Sequence, residues 1–295
     1  MEHALASRPE LTARIERLIG AKISSSRRVK GGYTPALRLL CRTSSTSFFV
    51  KVGATPLTCT FLRREMDVYT RIRGDFMPRL IASEDHETAP LLIIEDLSEH
   101  HWPPPWNEER VAQVLAQIET MHNTPALLEP FGDVHGSVGS DWETIAADPK
   151  PFLSLGMVPS QWLETALPLL IDHARQCRTE GSSLTHLDLR SDNICLTQSR
   201  AVLVDWNLAC LSNPRLDLGF WLPSLAYEGG PNPETILADA PEVAAAVSGF
   251  FAARAGLPQI PDAPRVRQVQ REQLEQALPW AIRALGLPPP VAPSI

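Results

Sequence analysis

The segment from Leu184 to Trp206, LTHLDLRSDNICLTQSRAVLVDW, constrains this chain more than any other. Two short apolar runs, Ile194 to Leu196 and Val202 to Val204, flank the turn-like Thr197 to Arg200, which reads as a tight hairpin. Polar residues stand at its ends. His186-x-Asp188 and then Asn193 precede the first run, and Asp205 directly follows the second.

The order H-x-D-x-x-x-x-N, strand, D supplies the parts that phosphoryl transfer needs. Such transfer needs one carboxylate to orient the acceptor hydroxyl and accept its proton. It also needs a second carboxylate and an amide oxygen to hold Mg²⁺ on nucleotide phosphates, and Mg²⁺ prefers hard oxygen ligands, which fits Asp and Asn better than His or Cys. An Asp and an Asn five residues apart also serve as ordinary turn formers. The hairpin and the Asp that ends it separate the two meanings.

Upstream residues add to the pattern. Lys51 ends the run FFVK and lies among Phe48, Phe49, Val50 and Val52, a costly place for an ammonium without an anion. Glu65 follows fourteen residues later in the helical stretch FLRREMDVY. A strand lysine paired with a glutamate on the next helix is the kinase arrangement for holding α- and β-phosphates. Gly31 and Gly32, in the turn from Lys30 to Thr34, fit a backbone approach to phosphate and a plain Gly-Gly hairpin equally well. No G-K-[ST] follows, so this is not a Walker A loop.

The chain divides into two parts of different character. Helical spacing covers Glu10 to Ile19, and a β-rich stretch follows, with strands at Ala36 to Arg42 and Phe48 to Val52. Leu57 to Arg73 is helical, and Leu91 to Ile94 reads as a buried strand leading into Glu95-Asp96-Leu97. After the proline loop HWPPPW, helices dominate at Glu108 to His122, Ser160 to Thr179, Pro241 to Ala255 and Pro264 to Leu285. The hairpin at 194–204 is the one β island expected there, and LPPPVAPSI reads as an extended tail. The expectation is α+β, with a small β-rich N-terminal nucleotide-binding lobe at 1–97 and a helical catalytic and acceptor-binding lobe at 98–295.

Composition excludes some classes. Asp and Glu number 34 against 27 Lys and Arg, which disfavours a nucleic-acid partner. The N-terminus has scattered charges and no apolar core, and no stretch reaches the length a membrane helix needs, so the reading is a cytoplasmic protein with no membrane partner. Cys41, Cys59, Cys177, Cys195 and Cys210 are odd in number and none lies at metal-site spacing, which suits free buried thiols in a reducing compartment.

Taken in order, Lys51, Glu65, the run Leu91 to Glu95, H-x-D-x4-N at 186–193 and V-D-W at 204–206 resemble the aminoglycoside phosphotransferase and choline-kinase-like group of the protein-kinase-like fold. The resemblance spans about residues 25 to 250. It implies that Asp188 is the catalytic base, Asn193 and Asp205 the Mg²⁺ ligands, Lys51 the phosphate-binding lysine and Glu65 its partner. Glu95 to Leu97 would meet the adenine edge of ATP or GTP. Leu187 stands where the family usually has Gly. Trp206-Asn207 after the metal Asp, and the lack of an A-P-E segment, set the chain apart from protein kinases. The stretch Asn213 to Gly219 is similar to the family's P-x-x-D-L-A/G, whose Asp, here Asp217, caps a helix and steadies the catalytic loop. His186 is expected to orient its loop.

The acceptor is less legible. The resemblance favours an aminoglycoside or related amino sugar, with a metabolite alcohol such as choline, homoserine or a sugar as the alternative. A nucleotide-binding scaffold without activity is the third reading, and the intact set Lys51, Asp188, Asn193 and Asp205 argues against it. Asp192, Glu228, Glu234 and Asp239 are candidates to meet a cationic acceptor, and Trp102, Trp106 and Trp221 to offer stacking faces.

Overall fold

The computed structural model describes residues 4–29, 31–32, 34–136, 138–261 and 263–290. Of the expected turn at 30–34, Lys30 and Tyr33 lie outside the described residues, as does 291–295 of the expected tail. The fold is α+β, and the chain forms two compact units. The first holds the chain up to Pro103 together with Gln113–Met121 and Asp192–Leu208. The second holds Pro104–Ala112, His122–Ser191 and the chain from Ala209 onward. The hairpin of the diagnostic segment therefore belongs to the sheet-bearing unit, although the chain reaches it only after many of the helices.

In the first unit, α1 (Pro9–Ile19) precedes a five-stranded antiparallel sheet. Its strands are β1 (Ser25–Arg28), β2 (Leu37–Arg42), β3 (Ser47–Val52), β4 (Leu80–Glu84) and β5 (Leu91–Glu95), in the order β1-β2-β3-β5-β4. Side chains alternate across a strand. In β3, Phe48, Val50 and Val52 are accordingly buried in one cluster with Leu39, Leu91, Ile93 and Ile15 of α1. Lys51 is out of phase with that set and points to the other face. Between β3 and β4 runs α2 (Pro56–Arg71). Thr55 caps it, accepting from the Thr58 N–H, while Thr58 Oγ1 accepts from the Thr55 N–H, a reciprocal capping box that fixes where the helix begins. Buried Leu62, Glu65, Met66 and Tyr69 then recur at helical spacing.

β4 is absent from the sequence expectation. It is an edge strand with no buried residue, Ile81 being exposed, and a register shift between Leu80 and Ala82, so it carries no alternating signal.

The second unit is built on α10 (Pro241–Ala255), in which every residue from Val243 to Gly249 is buried. A helix apolar all round sits at the centre of its unit. Around it pack α5 (Asp141–Ala147), α6 (Lys150–Leu153), α7 (Ser160–Gln176), α8 (Pro214–Tyr227) and α11 (Val266–Ala284). Gly249 allows the Trp142 indole to lie against α10, since a Cβ there would stand 2.7 Å from its ring. Trp142 Nε1 donates to the Ala245 carbonyl at 2.8 Å. The remaining helices are α3 (Glu108–His122), whose residues divide between the units, α4 (Phe131–His135) and α9 (Pro233–Ile236).

The expectation of a single β island is corrected. Besides the hairpin of β7 (Ile194–Leu196) and β8 (Ala201–Leu203), β6 (Ser183–Thr185) pairs with β9 (Cys210–Ser212). Three-residue strands are too short to show a period in sequence. Among the described residues, no helix is long and apolar enough to cross a membrane.

Candidate active site

In the first unit the sheet delivers Lys51 to α2. Its Nζ donates to Glu65 Oε2 at 2.6 Å and to Asp205 Oδ1 at 2.8 Å. The Lys51 side chain is 11% exposed and that of Glu65 2%, while that of Asp205 is 30% exposed, so the Lys51–Glu65 pair is nearly dry and Asp205 is its wetter side. Burial alone would pull the Lys51 ammonium down, but the Asp205 and Glu65 carboxylates outweigh it and push it up to about 12. Burial drives the Glu65 carboxyl up, opposed by Lys51.

Asn193 and Asp205 are the two ends of the β7–β8 hairpin. The Val204 N–H donates to the Asn193 carbonyl at 3.0 Å, which closes the hairpin and sets the two residues side by side. Asp205 has a φ of 68°, left-handed backbone that a non-glycine residue adopts at a cost. With its amide turned to satisfy both groups, Asn207 donates to Asp205 Oδ1 at 2.7 Å, a support not foreseen from sequence. The donor set, one carboxylate and one amide oxygen, is hard and fits Mg²⁺. Among the described residues there is no cluster of three or more His, Cys, Asp or Glu that could hold a metal ion.

The segment before the hairpin, His186 to Ser191, belongs to the second unit. Asp217, fully buried, accepts from the His186 N–H at 2.9 Å and the Leu187 N–H at 2.7 Å. His122 Nε2 lies 3.0 Å from the same carboxylate. These bonds fix the bend at Leu187, whose φ is 59°. The buried His186 ring accepts the Asp188 N–H through Nδ1 at 3.2 Å. Asp188 itself faces Arg190: Nη2 donates to Oδ2 at 3.3 Å, and Nε lies 3.3 Å from Oδ1.

The phosphotransferase enzyme family, APH, matches residues 26–255. The chain belongs to this family. No curated protein sequence matches it. Solved structures share the fold at low identity. A thermostable mutant of the aminoglycoside phosphotransferase APH(4)-Ia, in a ternary complex with ADP and hygromycin B, is 13% identical with a TM-score of 0.55, covering 94% of this chain and 98% of that one. The choline kinase LicA from Streptococcus pneumoniae is 14% identical with a TM-score of 0.57, covering 95% and 99%. The spectinomycin phosphotransferase APH(9)-Ia, in complex with ADP and spectinomycin, is 12% identical with a TM-score of 0.53, covering 94% and 97%.

The other anticipated positions of this APH-family chain are now placed. Gly31 and Gly32 have φ of 131° and 71°, conformations that glycine adopts freely. Glu95 ends β5, and its Oε2 accepts from the Arg79 N–H at 3.0 Å and from Arg200 at 3.3 Å. The Leu97 carbonyl accepts from the His100 N–H and the Trp102 indole. Asp192 is exposed beside Asn193.

Two expectations change. Trp221 has no exposed surface, so it offers no stacking face: it lies on the inner side of α8, with its ring centre 6.0 Å from that of Trp106. The cap of α8 is Asn213, which accepts from the Arg215 N–H at 3.1 Å. Asp217 lies inside the first turn, so the capping part of its expected role changes, while its bonds to the 186–187 backbone agree with the expectation that it steadies that loop. Glu228, at the end of α8, has both oxygens engaged, accepting from Ser191 Oγ at 2.5 Å and Trp106 Nε1 at 2.8 Å.

Proposed function

We propose that this chain is a Mg²⁺-dependent kinase that moves the γ-phosphate of ATP to a hydroxyl of a small molecule. The observation that carries the reading is the single ammonium of Lys51 shared by Glu65 and Asp205. A buried lysine held by two carboxylates, one of them at the end of a hairpin whose other end is Asn193, suits a triphosphate with its metal.

Each group then has a task. Lys51 binds the α- and β-phosphates and Glu65 orients it. Asn193 and Asp205 hold Mg²⁺, which when bound neutralises charge on the β- and γ-phosphates. Gly31 and Gly32 let backbone N–H groups approach phosphate, and Glu95 to Leu97 meet the adenine edge. Asp188 accepts the hydroxyl proton as the acceptor oxygen bonds to the γ-phosphorus. The bond from that phosphorus to the β,γ-bridging oxygen breaks, and ADP leaves with the electron pair.

Several of the candidate carboxylates already have partners. Glu228 is engaged by Ser191 and Trp106, Glu234 by Arg283 at 2.6 Å, and Asp188 by Arg190. Asp192 and Asp239 are exposed, so an aminoglycoside or related amino sugar and a metabolite alcohol such as choline, homoserine or a sugar are both acceptors to test. The test is ATP consumption with Mg²⁺ over a panel of aminoglycosides, choline, homoserine and sugars. Turnover with at least one acceptor, lost in Asp188→Ala, is expected. Nucleotide binding with no turnover on any acceptor would favour a scaffold.

A further inference from the structure

We propose that Glu228 is a positioning residue, which clamps the catalytic segment at Ser191 and fixes the Trp106 indole as a rigid wall beside the acceptor; this rests on the phosphotransferase reading above. Ser191 is the third residue after Asp188 and is buried, while Trp106 lies in the proline loop far upstream. One carboxylate joins them, taking the hydroxyl proton of Ser191 on Oε1 at 2.5 Å and the indole N–H of Trp106 on Oε2 at 2.8 Å. Hydrogen bonds to an ionised acceptor are shorter and stronger than neutral ones. Two such bonds from separate chain segments fix the distance between those segments.

The helix that ends just before Glu228 also supplies the backing. Trp221, seven residues before Glu228 and inside α8, is fully buried, with its ring inclined 63° to that of Trp106. Trp106 is thus held at its N–H by Glu228 and against its ring by Trp221, and it remains half-exposed. A rigid aromatic wall tied to the segment that bears the base orients a bound acceptor without contributing charge. The carboxylate acts through Ser191 and Trp106, so it does not need to touch substrate.

Three variants of the full chain separate this from direct substrate contact. In Glu228→Gln, the amide oxygen accepts the indole N–H and the amide nitrogen donates to Ser191 Oγ, which can accept, so both contacts survive without the charge. Glu228→Leu removes both, and Trp106→Phe removes only the indole contact. Hydrogen exchange is followed in the 186–193 amides against those of α10, with kcat and both KM values measured on the acceptor the panel yields.

In Glu228→Leu, exchange at 186–193 is expected to rise about tenfold with α10 unchanged, and kcat to fall about tenfold with nucleotide KM within about threefold. Glu228→Gln is expected to restore both, and Trp106→Phe to raise acceptor KM at nearly constant kcat. The proposal is overturned if Glu228→Leu exchanges like wild type at 186–193, or if α10 loosens equally. It is also overturned if Glu228→Gln is as impaired as Glu228→Leu, because the charge itself would then be binding the acceptor. If wild type turns over nothing while the exchange contrast persists, the clamp stands and the phosphotransfer reading falls.

Discussion

Lys51 and Asp205, 154 residues apart in the chain, form an ion pair of 2.8 Å, and the same ammonium donates to Glu65. The strand phase of β3 turns Lys51 away from the α1 face, the capping box of α2 sets the frame that buries Glu65, and the hairpin returns Asp205 to both. No one of these elements has use for an ion at that place. Together they hold a cation between two carboxylates, Glu65 buried and Asp205 partly exposed.

Removing Lys51 should expose that balance. Lys51→Met leaves Glu65 buried without its cation, and breaking a buried pair from one side costs about 3–5 kcal/mol. The double variant Lys51→Met/Glu65→Leu should recover most of this stability, while nucleotide binding stays lost in both. Urea unfolding and nucleotide titration check the two halves. A double variant no more stable than the single would count against the pairing.

Asp188 and Asp205 should fail in different ways. Asp188→Ala is expected to lower kcat by about 10²–10⁴-fold with nucleotide affinity little changed, as for loss of a general base. Asp205→Ala is expected to abolish the Mg²⁺ dependence of nucleotide binding, read by calorimetry with and without the ion. Normal turnover in the first, or intact Mg²⁺ dependence in the second, would remove that residue from its role.

Asp217 should be a stability residue with a catalytic consequence. Asp217→Ala strands the His186 and Leu187 N–H groups, each worth about 1–3 kcal/mol when buried without a partner. Asp217→Asn keeps one acceptor oxygen and should lose less. Denaturant midpoints of the two variants give the order.

Leu187 sits at positive φ, where β-branched side chains fit poorly. Leu187→Gly relieves backbone strain of about 1 kcal/mol but gives up side-chain contacts, so its stability should stay within about 1 kcal/mol of wild type. Leu187→Val should lose clearly more, and equal stability of the two variants would contradict the strain argument.

The thiols supply a pH test. Burial pushes Cys41 and Cys195 up to about 12 from an ordinary value of 9.0. Above pH 9 the unfolded chain releases thiol protons that the folded chain keeps, so stability falls as pH rises from there toward 12. Between pH 8 and 10 the urea midpoint should fall less in Cys195→Ala than in wild type. Thiol reagents at pH 8 should reach the five buried cysteines only after denaturation.

Much of the site was legible in the chain because its chemistry is local. Asp188, Asn193 and Asp205 flank one hairpin, and Lys51 and Glu65 are separated by a single turn and part of a helix, so spacing alone limits their geometry. α1 could be read from its strong apolar period, and α10 from the length of its apolar run. β4 and the β6–β9 ladder could not, because an edge strand and three-residue strands carry no period.

The amino-acid sequence by itself determined the α+β class, the long helices and the set of polar groups at the hairpin. Only the tertiary structure decided what each carboxylate and each indole touches. It buried Trp221, engaged Glu228 with Ser191 and Trp106, and made Asn213 rather than Asp217 the cap of α8. The physical reason is that a polar side chain takes its role from the partners that desolvate it, and those partners come from distant parts of the chain.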